Sequence, residues 1–139
     1  MSNKKYYIVV VNAVIINNEN KILISKRSDD EDVLPGFYCV PGGKVEEGKN
    51  TLNVLETAIK REVREEVGIE VEVLDMFDSH IGKEDGKIHI YFKCKHVSGT
   101  PTALDGTAEV YWMTLEEIKK LDKKSPMLYE NCLKAINSK

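Results

Sequence analysis

The chain alternates between short β-branched runs and one long helical repeat. Residues 6–16, starting Tyr6-Tyr7-Ile8-Val9-Val10-Val11, are almost continuously apolar and predict a mostly buried strand. Asn17-Asn18-Glu19-Asn20 is a turn cluster. Lys21 to Lys26 then predicts a second strand, with Ile22 and Ile24 alternating against Leu23 and Ser25. Ser28 to Glu31 reads as a polar acidic loop and Leu34-Pro35-Gly36-Phe37 as a turn. Tyr38-Cys39-Val40 predicts a short strand, stopped by Pro41-Gly42-Gly43, which is expected to be irregular backbone.

The longest helical pattern follows. Leu52, Leu55, Ile59, Val63 and Val67 recur at three- and four-residue steps, with Asn50 or Thr51 as the expected N-cap and Gly68 at the left-handed C-terminal position. Ile69 to Phe77 and Lys87 to Val97 predict a pair of strands joined by a hairpin over 82–86. In the second, Ile88, Ile90, Phe92 and Cys94 share one face. Lys87, His89, Tyr91, Lys93 and Lys95 share the other, expected to be solvated. Ser98 to Gly106 is a loop and Glu109 to Met113 a last strand. Thr114 and Glu117 form a capping box for a short helix to about Leu121, and Ser125-Pro126 is expected to cap a C-terminal helix. With 139 residues and no repeat or linker composition, one domain over 1–139 is expected.

Charge and cysteine usage narrow the class. The net charge of −3 disfavours a basic nucleic-acid surface or a polybasic membrane anchor. No apolar run approaches the roughly 20 residues needed to cross a bilayer. The N-terminal run lacks a small-residue cleavage site and reads as a strand, not a signal peptide. Cys39, Cys94 and Cys132 are odd in number and far apart, which points to reduced thiols in a cytoplasm.

The chemistry is concentrated in Arg61-Glu62-Val63-Arg64-Glu65-Glu66-Val67-Gly68-Ile69. At about 100° per residue, Glu62, Glu65 and Glu66 fall within about 100° of helical arc, beside the apolar stripe of Ile59, Val63 and Val67. A half-buried cluster of like charges is costly unless a cation neutralises it. Hard oxygen donors select Mg²⁺ or Mn²⁺ over zinc. The alternative is a solvated acidic face in which Arg61 and Arg64 pair with nearby carboxylates.

This stretch resembles the signature of the Nudix hydrolases: Gly, five residues, Glu, seven residues, then Arg-Glu-apolar-x-Glu-Glu-x-Gly-apolar. Arg61 to Ile69 matches the second half at every specified position, and Pro41-Gly42-Gly43-Lys44-Val45-Glu46 resembles the start of the signature loop. Val14 to Arg27 resembles the family's opening hairpin. Glu109-Val110-Tyr111-Trp112-Met113 with Leu115-Glu116-Glu117-Ile118 resembles its closing strand and helix. One departure stands out. The first signature Glu falls on Lys49 counting from Gly43 and on Asn53 counting back from Arg61, so the loop is about four residues longer than the standard spacing. Glu56, one turn into the helix, is a candidate substitute.

The resemblance implies an α/β fold, a Nudix-type α/β/α sandwich with a mixed sheet, the signature loop and helix on one side and the C-terminal helices on the other. It implies Mg²⁺- or Mn²⁺-dependent hydrolysis of a nucleoside diphosphate linked to another group: a nucleoside triphosphate, ADP-ribose, a sugar nucleotide or a dinucleoside polyphosphate. Glu62, Glu65 and Glu66 are the implied metal ligands, with the Gly43 carbonyl as a further candidate. Glu62 is also implied to orient or deprotonate water, and Arg61 to hold the carboxylates. Glu109 is a candidate ligand or base, set against an exposed strand-end Glu. Arg27 is a candidate phosphate contact, set against a surface Arg. Gly42 and Gly43 suit close approach to phosphate or simply a tight turn.

Phe37 and Tyr38 stack on a base or pack, and the Lys87–Lys93 stripe attracts an anion or is a wet strand face. His80 and His96 carry no ligand signal, and Trp112 reads as core. A non-catalytic nucleotide sensor or interaction module is the competing class, favoured by the long loop and missing Glu and opposed by the intact carboxylate trio. A diphosphate-binding isomerase lacks an identifiable catalytic Cys. The implied partner is a small nucleotide-type molecule, with no nucleic acid or membrane. A homodimer is compatible with the resemblance, but no sequence feature defines an interface.

Overall fold

The computed structural model describes residues 6–46, 52–82 and 85–138. Seven strands form one mixed sheet: β1 (Ile8–Ile16), β2 (Ile22–Arg27), β3 (Tyr38–Cys39), β4 (Gly42–Lys44), β5 (Glu70–Ile81), β6 (Lys87–Ser98) and β7 (Thr107–Met113). Among the described residues three helices accompany it: α1 (Val54–Val67), α2 (Leu115–Lys119) and α3 (Leu128–Asn137). The main path is β3-β2-β1-β6-β5, with β4 on β1 and β7 on β2. β1 and β6 are parallel from Ile8↔Lys87 to Ile16↔Lys95, and the other strand pairs are antiparallel.

The period-two pattern of β1 and β2 divides two cores across this sheet. Val11, Ala13, Ile15 and Leu23 face α1 and pack with Ala58, Ile59, Val63 and Val67. Val14, Ile22 and Ile24 face the other way, onto Ile118 of α2 and Leu128, Cys132 and Ala135 of α3. The expected sandwich is therefore present, with the signature helix on one side and the C-terminal helices on the other. Among the described residues, no helix is long and apolar enough to cross a membrane.

Several boundaries differ from the sequence expectation. The proposed caps Asn50 and Thr51, and Lys49 of the first signature count, lie outside the described residues. α1 starts after Asn53, a left-handed residue at φ 53° that makes no side-chain cap, so Leu52 precedes the helix and is exposed. Gly68 ends it as expected, at φ 69°, its N–H donating to the carbonyls of Val63 and Arg64. Gly42 and Gly43 are not irregular: they pair with Asn12 and Val11 as β4, because backbone hydrogen bonding needs no side chain. β5 runs on to Ile81 through three register shifts that absorb its polar end. Ser125 and Pro126 do not cap α3; Met127, left-handed at φ 66°, precedes it without a side-chain cap. The capping box of α2 is as expected, with Thr114 and Glu117 bonding each other's backbone N–H.

The polar stripe of β6 is solvated only in part: Lys95 is exposed, whereas the middle of the stripe is covered. Tyr91 is buried among the residues facing α3, Lys93 donates to the Ser138 carbonyl at 2.9 Å, and His89 stacks on His80 with ring centroids 4.8 Å apart. Covering by the C-terminal helix, absent from any local pattern, is the reason.

Candidate active site

α1 and β4 meet on the sheet face that carries the first core. Burial of Ile59, Val63 and Val67 fixes the rotation of α1. That rotation turns Glu62 and Glu66, one turn apart, toward the end of the sheet where β4 crosses β1. Gly42 lies so close to β1 that a Cβ there would stand 2.3 Å from the Val11 carbonyl oxygen. A Cβ on Gly43 would stand 2.5 Å from the Glu62 carboxyl carbon. Gly42 is thus a steric requirement of the packing of β4 on β1, while Gly43 leaves the room that the Glu62 carboxylate occupies.

The resulting cleft, about 240 Å³, is walled by Glu62 and Glu66 of α1, Gly42 and Gly43 of β4, and Ser25 and Arg27 of β2. Cys39 of β3 also lines it, as do Glu31, Asp105, Gly106 and Thr107 from the loops and β7. Ser25 and Arg27 sit two residues apart, so they share the strand face that looks at α1. Cys39 pairs with Ser25 across β2 and β3, where the Ser25 hydroxyl lies 3.3 Å from the Cys39 carbonyl oxygen and 3.6 Å from its Sγ. Thr107 reaches the cleft through a bulge: β7 skips from Lys26↔Glu109 to Arg27↔Thr107.

Electrostatics single out the α1 pair. Burial pushes the Glu66 carboxyl up to about 9, helped by its hydrogen bond to Glu62 and the Glu62 charge. The Gly42 backbone and the Arg27 charge oppose this only partly. Glu62 is itself well covered, with a side chain 13% exposed. Arg61 binds it at 3.0 Å, reaches Glu65 at 3.5 Å and donates to the Lys44 carbonyl at 3.3 Å. One guanidinium therefore ties two carboxylates of α1 to the backbone of β4. Glu65 is half exposed and does not line the cleft. Arg64 turns away to Glu70, at 2.6 Å.

Among the described residues, no three His, Cys, Asp or Glu side chains stand close enough together to hold a metal ion. The convergent donors are two, Glu62 and Glu66. They are hard oxygen donors, like-charged and desolvated, and burial together with the Glu62 charge raises the Glu66 carboxyl. That donor chemistry fits a divalent hard cation.

Other candidates from the sequence lie elsewhere. Glu109 is on the opposite face of the sheet. It pairs with Lys26, not with Ser25 or Arg27, forms an ion pair with Lys26 at 3.6 Å and accepts a hydrogen bond from Tyr111. A strand residue directly opposite Lys26 shares its side of the sheet, which is why Glu109 misses the cleft. Tyr38 packs there too, beside Tyr111 and under Lys26, against the second core. Phe37 is half-buried outside the cleft lining. His96 donates from its Nε2–H to the Gly99 carbonyl and packs on Trp112, which borders the first core. Glu56 pairs with Lys60 at 3.4 Å and does not line the cleft.

Ser25, Glu31, Cys39, Asp105 and Thr107 had no motif to announce them. The alternation Ser25-x-Arg27 would have found the first, once Arg27 was singled out. The loop residues carry no periodicity that local pattern can exploit.

A mixed sheet between helices, with a carboxylate-bearing helix packed on a Gly-Gly strand, defines an α/β sandwich with an acidic cleft at the end of its sheet. The NUDIX domain model matches residues 6–132, and the chain belongs to the Nudix family. It is 29% identical over 102 residues to a MutT-like protein of Streptomyces ambofaciens, covering 73% of this chain and 60% of that protein. It is 29% identical over 118 residues to the nucleoside triphosphatase NudI of Enterobacter sp. (strain 638), covering 76% of this chain and 81% of that one. The crystal structure of a MutT protein from Methanosarcina mazei Go1 superposes with a TM-score of 0.76 at 25% identity, covering 96% of each chain.

Proposed function

We propose that this protein is a divalent-metal-dependent hydrolase of phosphoanhydride bonds, acting on a nucleoside diphosphate linked to a further group. The observation that carries this is the buried Glu62–Glu66 pair set against Gly42 and Gly43, with Arg27 on the facing wall. The family assignment and the activities named for the MutT-like and NudI relatives support it. Two cores on one shared sheet support reading the chain as a single domain.

Glu62 and Glu66 would hold the cation, chosen as Mg²⁺ or Mn²⁺ by their hard oxygens, with Glu65 joining once it leaves Arg61 and the Gly43 backbone alongside. When bound, the cation screens the phosphate charge and makes phosphorus more open to attack. Arg61 keeps Glu62 in place through its bonds to Glu62 and to the Lys44 carbonyl. Gly42 and Gly43 let phosphate oxygens approach the backbone closely. Arg27, its Nε fixed on the Val33 carbonyl at 2.7 Å, presents the remaining guanidinium N–H groups to a phosphate oxygen. Water adds to a bridge phosphorus, the bridging P–O bond breaks, and the phosphate-bearing leaving group departs. The proton released from water is taken by a carboxylate of the α1 pair, Glu62 being placed for it. The three free thiols suit a reducing compartment, the cytoplasm.

The test is phosphate and pyrophosphate release from a nucleotide panel with Mg²⁺, Mn²⁺ or chelator. Turnover should vanish with chelator, and Glu66→Gln should reduce it by a factor on the order of 100 or more. Undiminished metal-dependent turnover in Glu66→Gln would remove the α1 pair from the mechanism.

A further inference from the structure

We propose that Glu31 is a charge filter for this cleft: a specificity-determining residue that penalises substrates carrying phosphate charge beyond the diphosphate bridge. The inference rests on the hydrolase reading above and concerns the wall facing α1. Among the described residues, the cleft lining holds four carboxylates, Glu31, Asp105, Glu62 and Glu66, against a single guanidinium, that of Arg27. A cation at α1 neutralises Glu62 and Glu66 and leaves Glu31 and Asp105 uncompensated by it. Arg27 is then the group available to meet extra phosphate charge, and it is already engaged.

Its engagement is specific. Arg27 donates through Nε to the Val33 carbonyl, which fixes the plane of the guanidinium, while Nη2 stands 3.9 Å from Glu31 Oε2. Glu31 is held on that wall by the backbone around it. Its N–H donates to the Ser28 carbonyl, and Ser28 N–H donates to the Gly106 carbonyl at 3.0 Å. Gly106, at φ 71°, yields the space, since a Cβ there would lie 2.1 Å from Glu31 Oε1. Two loops distant in sequence thus converge to keep a carboxylate beside the Arg27 guanidinium. A phosphate that approaches Arg27 meets the Glu31 charge at the same time. The repulsion grows with each added phosphate charge, so a diphosphate whose second group is uncharged is favoured over a triphosphate.

Glu31→Gln removes the charge while the Val33 carbonyl still orients Arg27. Steady-state kinetics with Mg²⁺ on ATP and on ADP-ribose should show a lower KM for ATP, with kcat/KM for ATP rising roughly three- to tenfold more than that for ADP-ribose. Glu31→Asp, which keeps the charge, should retain the native discrimination, and added salt should narrow the difference between native and Gln forms. Equal changes on both substrates, or a loss on ATP with an unchanged melting temperature, would overturn the filter. If neither nucleotide is turned over, calorimetry with pyrophosphate and Mg²⁺ decides separately from the hydrolase reading. Tighter binding by Glu31→Gln than by the native chain supports the filter, and unchanged or weaker binding overturns it.

Discussion

At the scale of the residue, Glu66 carries the most information. Its proton is held mainly by burial and then by Glu62, so its folded carboxyl sits above the ordinary value of 4.5, near 9. In the unfolded chain the same group ionises first. Between these limits the folded state binds more protons than the unfolded one, and folding stability must fall as pH rises. Urea unfolding in chelator should therefore show the native protein losing stability from pH 5 towards pH 9. Glu66→Gln, neutral throughout, should show a flatter profile and higher stability than the native chain at pH 8. A native profile that rises across this range would contradict the raised Glu66 carboxyl. Sequence reading identified Glu62 and Glu66 because the helical period brings them together. It placed Glu65 with them on arc and on the signature resemblance, while its alternative of a solvated acidic face paired with Arg61 describes the half-exposed Glu65. Glu109 shows the converse limit: its sheet face depends on the register of β7 against β2, a non-local quantity.

At the scale of the element, α1 and β4 form one device. α1 was legible because its apolar stripe repeats and Gly68 ends it. β4 was not, because Gly-Gly is a turn signal in local sequence and becomes a strand here only by pairing with β1. The device predicts an asymmetric pair of substitutions. Gly43→Ala places a methyl against the Glu62 carboxylate and should cut turnover by about tenfold or more with a small change in unfolding free energy, since a side chain can swing aside. Gly42→Ala meets the Val11 carbonyl, which is backbone in the central strand, and should cost stability first. Comparing kcat with the urea midpoint for each variant checks the split. Equal destabilisation by both would show that Gly43 serves packing rather than the carboxylate.

At the scale of the whole molecule, one sheet separates two cores that are fed by alternate residues of the same strands. Ile59 of α1 is sealed in one and Ile118 of α2 in the other. Truncating either to Ala should cost about 2–5 kcal/mol. The double variant should be close to the sum, because no side chain bridges the sheet between them. Chemical denaturation of the two single variants and the double measures this, and a strongly non-additive result would mean that the cores communicate through β1 and β2. This two-sided plan was legible from the signature resemblance, with the continuous apolar run of residues 6–16 and the amphipathic pattern of α1 agreeing with it. The covering of Tyr91 by α3, and the convergence of Glu31 with Asp105 and Gly106, were not. They join segments more than 30 residues apart without a repeating pattern to link them.

The same division of faces sorts the three thiols. Cys94 and Cys132 are fully enclosed, one in each core, and burial pushes both up to about 12. Cys39 alone among them lines the cleft, beside Ser25 and Arg27. A thiol-reactive chromophore added to the folded native protein would then label one position, slowly because burial also raises the Cys39 thiol. Anything seated in the cleft would slow it further. The chain thereby carries its own optical gauge of occupancy, one that reads any cleft ligand, turned over or not, without an engineered label.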